Sequence, residues 1–373
     1  MRASPGRRRG RLSFIAESLA VYGPPLCGLG GSPGSDLTTL SFMRESPQSP
    51  PAAGAVQKRV PDFFIVGHHK SGTTALYEML RRHPQIYMPD IKEPRFFASD
   101  MRSRFQSSRE HLLPETLDEY LSLFTAATPE QRAGEASPSY LWSHTAASRI
   151  ADAQPAARII AILREPASFL RSLHLQLLRS HVETKKDLRK AIALEAARRE
   201  GRRIPRRSHR PQLLQYSEHV RYVDQLRRYH AVFPPEQVLV LIYDDFRHDN
   251  QATVRRVLRF LEVDDAHPID EVQVKLTTRT MRSQQLDDVL HSLSLGRSPA
   301  ARAAKATVKA LTSPQLRRDA LGSIRRQAVY GDVPPPDESF MMELRRRFKP
   351  EVVAASEYLD RDLLALWGYD ELD

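Results

Sequence analysis

A run of five residues after a short apolar segment has the composition of a phosphate-binding loop. The run Lys70-Ser71-Gly72-Thr73-Thr74 combines one positive charge, three hydroxyl groups and a glycine. Helical periodicity begins at Thr73, so the run should lie at a helix N-terminus, where free backbone N–H groups and the helix dipole favour anions. We therefore predict that all five residues bind a phosphate-like group. The alternative is a plain strand-to-helix turn, since such turns also use Gly and Thr without a ligand.

This run differs from the phosphate loop of nucleoside triphosphatases. That loop has Lys directly after its second glycine, followed by a Ser or Thr that binds magnesium. Here Thr73 follows Gly72, and Lys70 comes two residues before the glycine. The second apolar segment of the chain also ends at Arg164 rather than at an acidic residue. The pattern predicts an anion balanced by protein cations, and the sequence has no ligand spacing for a zinc or magnesium site.

Apolar segments followed by helical patterns predict the elements that position these residues. This pairing recurs three times, at 62–67 and 73–83, at 157–163 and 167–179, and at 237–243 and 250–261. Strands that alternate with helices form a parallel sheet covered on both faces. The predicted fold class is therefore α/β, a three-layer P-loop-like fold with a central parallel sheet flanked by helices.

Composition limits the class of protein and its compartment. The chain carries 56 Lys and Arg residues against 45 Asp and Glu, a formal net charge of +11, and 46 of these cations are Arg. This balance is compatible with anionic partners, but it is also typical of solvated helix faces. Cys27 is the sole cysteine, which excludes an internal disulfide and favours a reducing, cytoplasmic location. No apolar run approaches the ~18 residues that span a bilayer, so we expect no transmembrane segment.

Two segments differ in composition from the rest of the chain. Residues 1–59 are rich in Gly, Pro, Ser and Arg, which predicts a disordered N-terminal tail, with a targeting peptide as the alternative. The folded domain should then cover 60–373. Within it, the segment 284–335 is basic and is expected to be helical.

Several motifs together resemble the sulfotransferases that use 3'-phosphoadenosine 5'-phosphosulfate (PAPS). The segment 70–76 is similar to their 5'-phosphosulfate loop, and Arg164 with Ser172 eight residues later is similar to their 3'-phosphate signature. The resemblance is closest to the heparan sulfate branch and its bacterial relatives, and it departs from many members at His174, where they have Tyr. Supporting similarities lie at 92–97, 135–140 and 347–367.

The resemblance implies that PAPS is the co-substrate and that no metal is needed. The loop that begins at Lys70 would bind the 5'-phosphosulfate, while Arg164 and Ser172 would hold the 3'-phosphate. Arg282 lies in a late basic loop that would close over the 3'-phosphate, with Arg279 as the alternative. The residues agree with this assignment, because two anionic groups joined by a nucleoside need two anion sites at one carboxyl edge of a sheet.

The resemblance also implies a reaction, the transfer of a sulfuryl group to a hydroxyl or amine. Lys70 would neutralise charge on the leaving oxygen, and Glu93 would accept the proton of the acceptor as general base. His68 and His69, beside the loop, are alternative bases. The acceptor would be a carbohydrate, a lipid or a small molecule, and no nucleic-acid partner is expected.

Other interpretations stay open from the sequence alone. Arg164 could form a salt bridge to Glu165 or Asp244 rather than bind a ligand. The chain as a whole could be a P-loop-type kinase, although the position of Lys70 speaks against it. It could also be a non-catalytic protein that binds anions or nucleic acid, for which a basic stripe with interleaved aromatic residues would be needed.

Overall fold

The computed structural model describes residues 58–101, 113–206, 208, 210–269, 279–281, 330–332 and 335–372, with only the backbone described at 279–281 and 330–332. All but the last two residues of the predicted tail at 1–59 lie outside this part of the chain. The same holds for 284–329 and 333–334 of the predicted basic helical segment.

A five-stranded parallel sheet forms the centre of the fold. Its strands are β1 (Phe63–Gly67), β2 (Ile86–Tyr87), β3 (Arg132–Ala136), β4 (Arg158–Leu163) and β5 (Val238–Ile242). They lie in the order β2-β3-β1-β4-β5, and each neighbouring pair is parallel. A separate antiparallel pair joins β6 (Arg279–Met281) to β7 (Tyr330–Asp332).

Helices connect the strands and cover the sheet. In chain order they are α1 (Thr73–Leu80), α2 (Leu117–Ser122), α3 (Ala146–Ala153), α4 (Pro166–Arg179), α5 (Leu188–Ile192), α6 (Glu195–Arg199), α7 (Tyr222–His230), α8 (Tyr243–His248), α9 (Asn250–Leu261), α10 (Glu338–Leu359) and α11 (Leu363–Trp367). Short 3-10 turns occur at Ser99–Met101, Pro211–Leu214, Tyr216–Val220 and Pro235–Gln237. Among the described residues, none of these helices combines the length and apolar composition that a bilayer crossing requires.

Alternating side chains of the central strands enter two separate cores. Phe63 and Ile65 pack with the apolar residues of α1 and α9. Phe64 and Val66 pack on the opposite face with residues of α4, α7 and α10. Because successive side chains of a strand point to opposite faces, this division gives a helix–sheet–helix arrangement of three layers. The predicted fold class is confirmed.

The structure adds strands that apolar patterning did not predict. The three predicted strands occur as β1, β4 and β5, whereas β2 has only two residues and β3 has the sequence RAGEA. β3 uses Gly134 because a Cβ there would lie 2.0 Å from Cζ of the buried Phe63. At the C-terminal side, Tyr330–Asp332 form a strand inside the segment predicted to be helical, since they pair with Arg279–Met281.

A fully buried ion pair fixes the segment that follows α4. Arg198 on α6 donates from both terminal nitrogens to Glu183, with N–O distances of 2.7 and 2.8 Å, and both side chains have no solvent exposure. Tyr216 also donates to Glu183, at 3.1 Å. Removing either residue would leave the charge of the other buried without a partner, and such a charge strongly destabilises the folded state.

We predict that Glu183→Gln lowers the free energy of unfolding by about 3–5 kcal/mol, since Arg198 would then be buried without a counter-charge. Urea denaturation followed by circular dichroism measures this change. Glu218→Gln is the control, because Glu218 pairs with Arg199 and Arg221 at the surface and should lose less than about 1 kcal/mol. Equal losses for the two variants would contradict the assignment of a structural ion pair.

Candidate active site

The loop between β1 and α1 contains two residues in the left-handed region of the backbone. Lys70 has a φ of 63° and Gly72 a φ of 86°, both in the left-handed region. A Cβ at Gly72 would also lie 2.9 Å from Cδ1 of Phe246. Gly72 is therefore needed both for its backbone angle and for the close packing of the loop on α8.

The N-terminus of α1 offers backbone N–H groups to a ligand. No side chain caps the helix at Gly72, and the helical hydrogen bonds begin with the N–H of Leu76, which donates to the carbonyl of Gly72 at 3.1 Å. Thr73 is buried and Thr74 is half-buried at this end of the helix. Ser71 is buried as well, and its hydroxyl donates to the carbonyl of His69 at 3.4 Å. The five predicted residues thus lie together in one turn at the N-terminus of α1, with the Ser71 hydroxyl directed to the backbone of the turn.

Arg164 joins the end of β4 to this loop. Its guanidinium donates to the carbonyl oxygen of Lys70 at 2.7 Å and lies 4.7 Å from the ring centroid of Tyr243. The predicted alternative, a salt bridge to Glu165 or Asp244, does not occur in the described part of the chain. Glu165 instead caps α4 by accepting from the N–H groups of residues 167 and 168, and Asp244 accepts from the Trp367 indole at 3.0 Å.

Four cations lie close enough together to affect one another. Burial lowers the pKa of Lys70, and the charges of Arg179 and Arg164 lower it further. Burial also lowers the pKa of Arg171, with Arg164 again adding to the decrease and Glu338 opposing it. Clustered like charges of this kind are unfavourable until an anion binds among them.

Arg171 and Arg179 were not predicted as site residues. Both belong to α4, the helix that carries Ser172. Arg179 follows Ser172 by seven residues, which is two helical turns, so the two lie on one face. This spacing was readable from the sequence once the helix was placed.

Ser172 and the backbone of strand β6 both lie at α4. Ser172 is half-buried, and within the described residues its hydroxyl has no hydrogen-bond partner. The backbone of strand β6, which begins at Arg279, runs beside α4. Arg282 lies outside the described residues.

Glu93 lies between two cations on a loop next to β3. Its carboxylate is 3.2 Å from Lys92 Nζ and 2.7 Å from an Arg95 terminal nitrogen, and a quarter of its side chain is exposed. Burial tends to raise the pKa of Glu93, but the charges of Lys92 and Arg95 outweigh it and hold the pKa below its ordinary value. Glu93 is therefore an ionised carboxylate and a weak base. The charge of Glu93 also acts on His69, which places the carboxylate near the residue that precedes Lys70.

The two alternative bases are neutral imidazoles. Burial lowers the pKa of His68 to about 4 and that of His69 to about 3. His68 Nε2 lies 2.7 Å from the side-chain oxygen of Gln225, whose amide N–H groups donate to the carbonyls of Glu218 and His219. The Gln225 oxygen must then accept, so His68 carries its proton on Nε2. Its Nδ1 is buried without a partner in the described part of the chain.

His174, the position that departs from the family motif, is a buried residue of α4. Its Nδ1 lies 2.9 Å from the Tyr216 hydroxyl and its Nε2 3.1 Å from the carbonyl of Lys186. These contacts connect His174 to the segment held by Glu183 rather than to the loop at Lys70. Over the described residues, no group of three or more His, Cys, Asp or Glu could hold a metal ion.

Comparison with known proteins shows which family the chain is similar to. The family model described as "Sulfotransferase domain" matches residues 60–306. Carbohydrate sulfotransferase 15 of Mus musculus is 28% identical over 270 residues, which are 60% of this chain and 47% of that protein. Heparan sulfate glucosamine 3-O-sulfotransferase 6 of Mus musculus is 32% identical over 128 residues, 34% of each chain. The chain thus spans about half or less of the curated relatives' length.

A solved structure is similar over a larger share of both chains. The crystal structure of a sulfotransferase from Alicyclobacillus acidocaldarius has a TM-score of 0.57 and 28% identity, and the match covers 82% of this chain and 98% of that one. The sulfotransferase family model covers well over half of the present chain, and the loop at Lys70 and the strand end at Arg164 both lie inside the matched region. The chain belongs to the sulfotransferase domain family.

Proposed function

We propose that this protein transfers a sulfuryl group from PAPS to a carbohydrate hydroxyl or amine. The observation that carries the proposal is the pair of cationic sites at one sheet edge. One site is the uncapped N-terminus of α1 with Lys70, and the other is Arg164 with Ser172 on the adjacent strand end and helix. Membership of the sulfotransferase family supports the same activity.

The donor would bind across the carboxyl ends of β1 and β4, which are neighbouring strands of the sheet. Its 5'-phosphosulfate would accept from the backbone N–H groups of Thr73 and Thr74 and from Lys70. Its 3'-phosphate would contact Arg164 and Ser172. The like charges that lower the pKa of Lys70 support this arrangement, because a bound dianion would relieve their repulsion.

In the transfer step, a bond forms between the acceptor oxygen or nitrogen and sulfur. The bond from sulfur to the bridging oxygen of the donor breaks, and its electron pair stays on that oxygen, which leaves as part of 3'-phosphoadenosine 5'-phosphate (PAP). Lys70 would stabilise the negative charge that develops there. Such preorganised charge stabilisation is a large contribution to catalysis in transfer reactions.

Glu93 would receive the proton that the acceptor loses. The cations at Lys92 and Arg95 keep its carboxylate ionised near neutral pH, which makes it ready to accept a proton. The same cations reduce its basicity, which limits its contribution to the low end of the range for general bases, about 10²-fold. His68 and His69 are the alternative bases, since both are neutral imidazoles beside the loop.

The acceptor class and the domain limits are also proposals. Both relatives named above are called carbohydrate or heparan sulfate sulfotransferases, which favours a carbohydrate over the lipid and small-molecule alternatives. The family match from residue 60 supports a sulfotransferase domain at 60–373 after a tail at 1–59. A cytoplasmic location remains a prediction from the single cysteine.

Two other functions are less well supported. A P-loop-type kinase would need an acidic residue at the end of β4 to bind magnesium, but this chain has Arg164 there, and the carboxylate of the next residue, Glu165, caps α4. A nucleic-acid binder would need a basic stripe with exposed aromatic residues. Lys70 and Arg164 lie at the N-terminus of α1 and are half-buried, which suits a small dianion better than a polymer backbone.

We predict that PAP binds roughly 100-fold more tightly than AMP, because AMP leaves the 3'-phosphate site empty. The hydrogen bonds from Arg164 and Ser172 to that phosphate should together contribute about 3 kcal/mol of binding free energy, which corresponds to about a 100-fold difference in affinity. Isothermal titration calorimetry gives both constants. ATP with magnesium should bind no better than AMP.

Ser172→Ala should reduce the affinity for PAP and leave that for AMP unchanged, since it removes one contact of the second site. Arg259→Ala, at an exposed position on α9, is the control. Equal affinities of the wild-type protein for PAP and AMP would contradict the two-site assignment.

We predict that Lys70→Ala and Glu93→Gln have different effects on donor binding. Lys70→Ala should lower turnover and weaken PAPS binding, because the Lys70 ammonium would contact the negatively charged 5'-phosphosulfate of the donor. Glu93→Gln should lower turnover by roughly 10²-fold and keep the donor affinity, because Glu93 meets only the acceptor's proton. Labelled-sulfate transfer and PAP titration measure the two quantities.

The surface variants Lys190→Ala and Glu236→Gln are matched controls for the loss of each charge. If Glu93→Gln kept near-normal turnover, the base would be His68 or His69 instead. If Lys70→Ala kept normal turnover and donor affinity, the role of the loop itself would be wrong.

A further inference from the structure

A buried carboxyl group lies behind the Glu93 loop without any role in the proposed chemistry. Glu135, near the end of β3, has no solvent exposure. It accepts hydrogen bonds from three hydroxyls: Ser137 at 2.5 Å, Tyr140 at 3.2 Å, and Tyr120. Among the described residues it forms no ion pair, and burial raises the pKa of Glu135 to about 7. A buried acid that is costly to ionise and lacks a counter-charge needs a reason for its presence.

Two of these three hydroxyls also hold the loop that carries Glu93. The Ser137 hydroxyl accepts from the backbone N–H of Arg95 at 3.1 Å. The Tyr140 hydroxyl accepts from the backbone N–H of Phe97 at 3.2 Å. A hydroxyl has a single hydrogen, so its donation to Glu135 turns its lone pairs toward these N–H groups. Glu135 thereby sets the direction of both contacts.

The loop needs such support because its backbone is unusual. Glu93 has a φ of 62° and Arg95 a φ of 56°, values that residues other than Gly seldom adopt. Residues in this conformation persist when their surroundings hold them in place. The one further backbone contact of the segment to β3 runs from the N–H of Glu93 to the carbonyl of Ala136 at 3.1 Å.

We propose that Glu135 is a positioning residue: through the hydroxyls of Ser137 and Tyr140 it holds the loop 93–97, and so sets the place of Glu93 relative to the donor. This inference rests on the proposed function, in which Glu93 is the general base. It assigns Glu135 no contact with either substrate. Displacing a reacting group by about 1 Å can reduce a rate by about 10²-fold, so the support of the loop is expected to affect turnover.

Tyr140 and Tyr120 provide a matched pair of variants. Each donates its hydroxyl hydrogen to Glu135 and each packs its ring against Phe97, while Tyr120 also stacks on Phe96. Only Tyr140 also accepts from a loop N–H group. Tyr140→Phe should therefore lower kcat by roughly 10-fold or more, with the KM for PAPS and the Kd for PAP within about twofold of wild type. Tyr120→Phe should stay within about threefold in kcat, at a similar loss of thermal stability.

Glu135→Gln and a remote buried glutamate extend the test. Glu135→Gln keeps the shape but replaces an acceptor oxygen with a donor, so it should also lower kcat and spare PAP binding. Glu195→Gln is the control, because Glu195 is buried, accepts from the N–H and hydroxyl of Ser217, and lies on α6 away from the loop. Equal kcat values for Tyr140→Phe and Tyr120→Phe, or a loss of PAP affinity in step with stability, would overturn the positioning role.

Amide hydrogen exchange tests the same idea without an acceptor substrate. Peptides that cover 93–97 should exchange faster in Tyr140→Phe than in Tyr120→Phe, while peptides that cover 70–74 should not change. Equal exchange in the two variants would overturn the inference. A wild-type protein that transfers no labelled sulfate to desulfated heparan sulfate or other glycans would contradict the proposed function instead, so the two failures are distinct.

Discussion

Repulsion among the cations at the carboxyl edge of the sheet is the constraint on which the site depends. Lys70 and Arg164 lie within hydrogen-bonding reach of one loop, and Arg171 and Arg179 add charge from α4. A group of like charges of this kind is unfavourable unless neighbouring side chains fix its position and a bound anion neutralises it. The aromatic residues of α8 supply part of this packing, since Phe246 closes on Gly72 and Tyr243 lies under Arg164.

Three carboxylates that follow β4 and β5 have partners other than Lys70 and Arg164. Glu165 directs its carboxylate to the N-terminus of α4 and to the Tyr369 hydroxyl. Asp244 accepts from the Trp367 indole, and Asp245 forms a two-point contact with Arg361 at 2.6 and 2.7 Å. The C-terminal part of the chain therefore supplies partners for these three carboxylates, while the charge of Glu338 on α10 acts on Arg171. On the other side of the loop, Glu93 has its own cations and so does not compete for Lys70.

The parts of the structure that depend on local pattern could be predicted from the sequence. β1, β4 and β5 are continuous apolar segments, and α1, α4 and α9 have helical periodicity. The loop at Lys70 combines a lysine, three hydroxyl groups and a glycine directly before a helix, which is a composition typical of an anion-binding turn.

By contrast, β3 contains Gly134 because a side chain there would clash with Phe63, and this constraint can be recognised only once the two strands are paired. The hydroxyl network around Glu135 joins residues far apart in sequence, and no spacing reveals it.

The central claim is that the N-terminus of α1 and the end of β4 hold the two ends of one nucleotide. A crystal structure of the complex with PAP tests it most directly. We expect the oxygens of the 5'-phosphate to lie about 2.7–3.2 Å from the backbone nitrogens of Thr73 and Thr74, with the 3'-phosphate in contact with Arg164 and Ser172. A nucleotide bound away from this edge of the sheet, or bound in reverse with its 3'-phosphate at Lys70, would contradict the account.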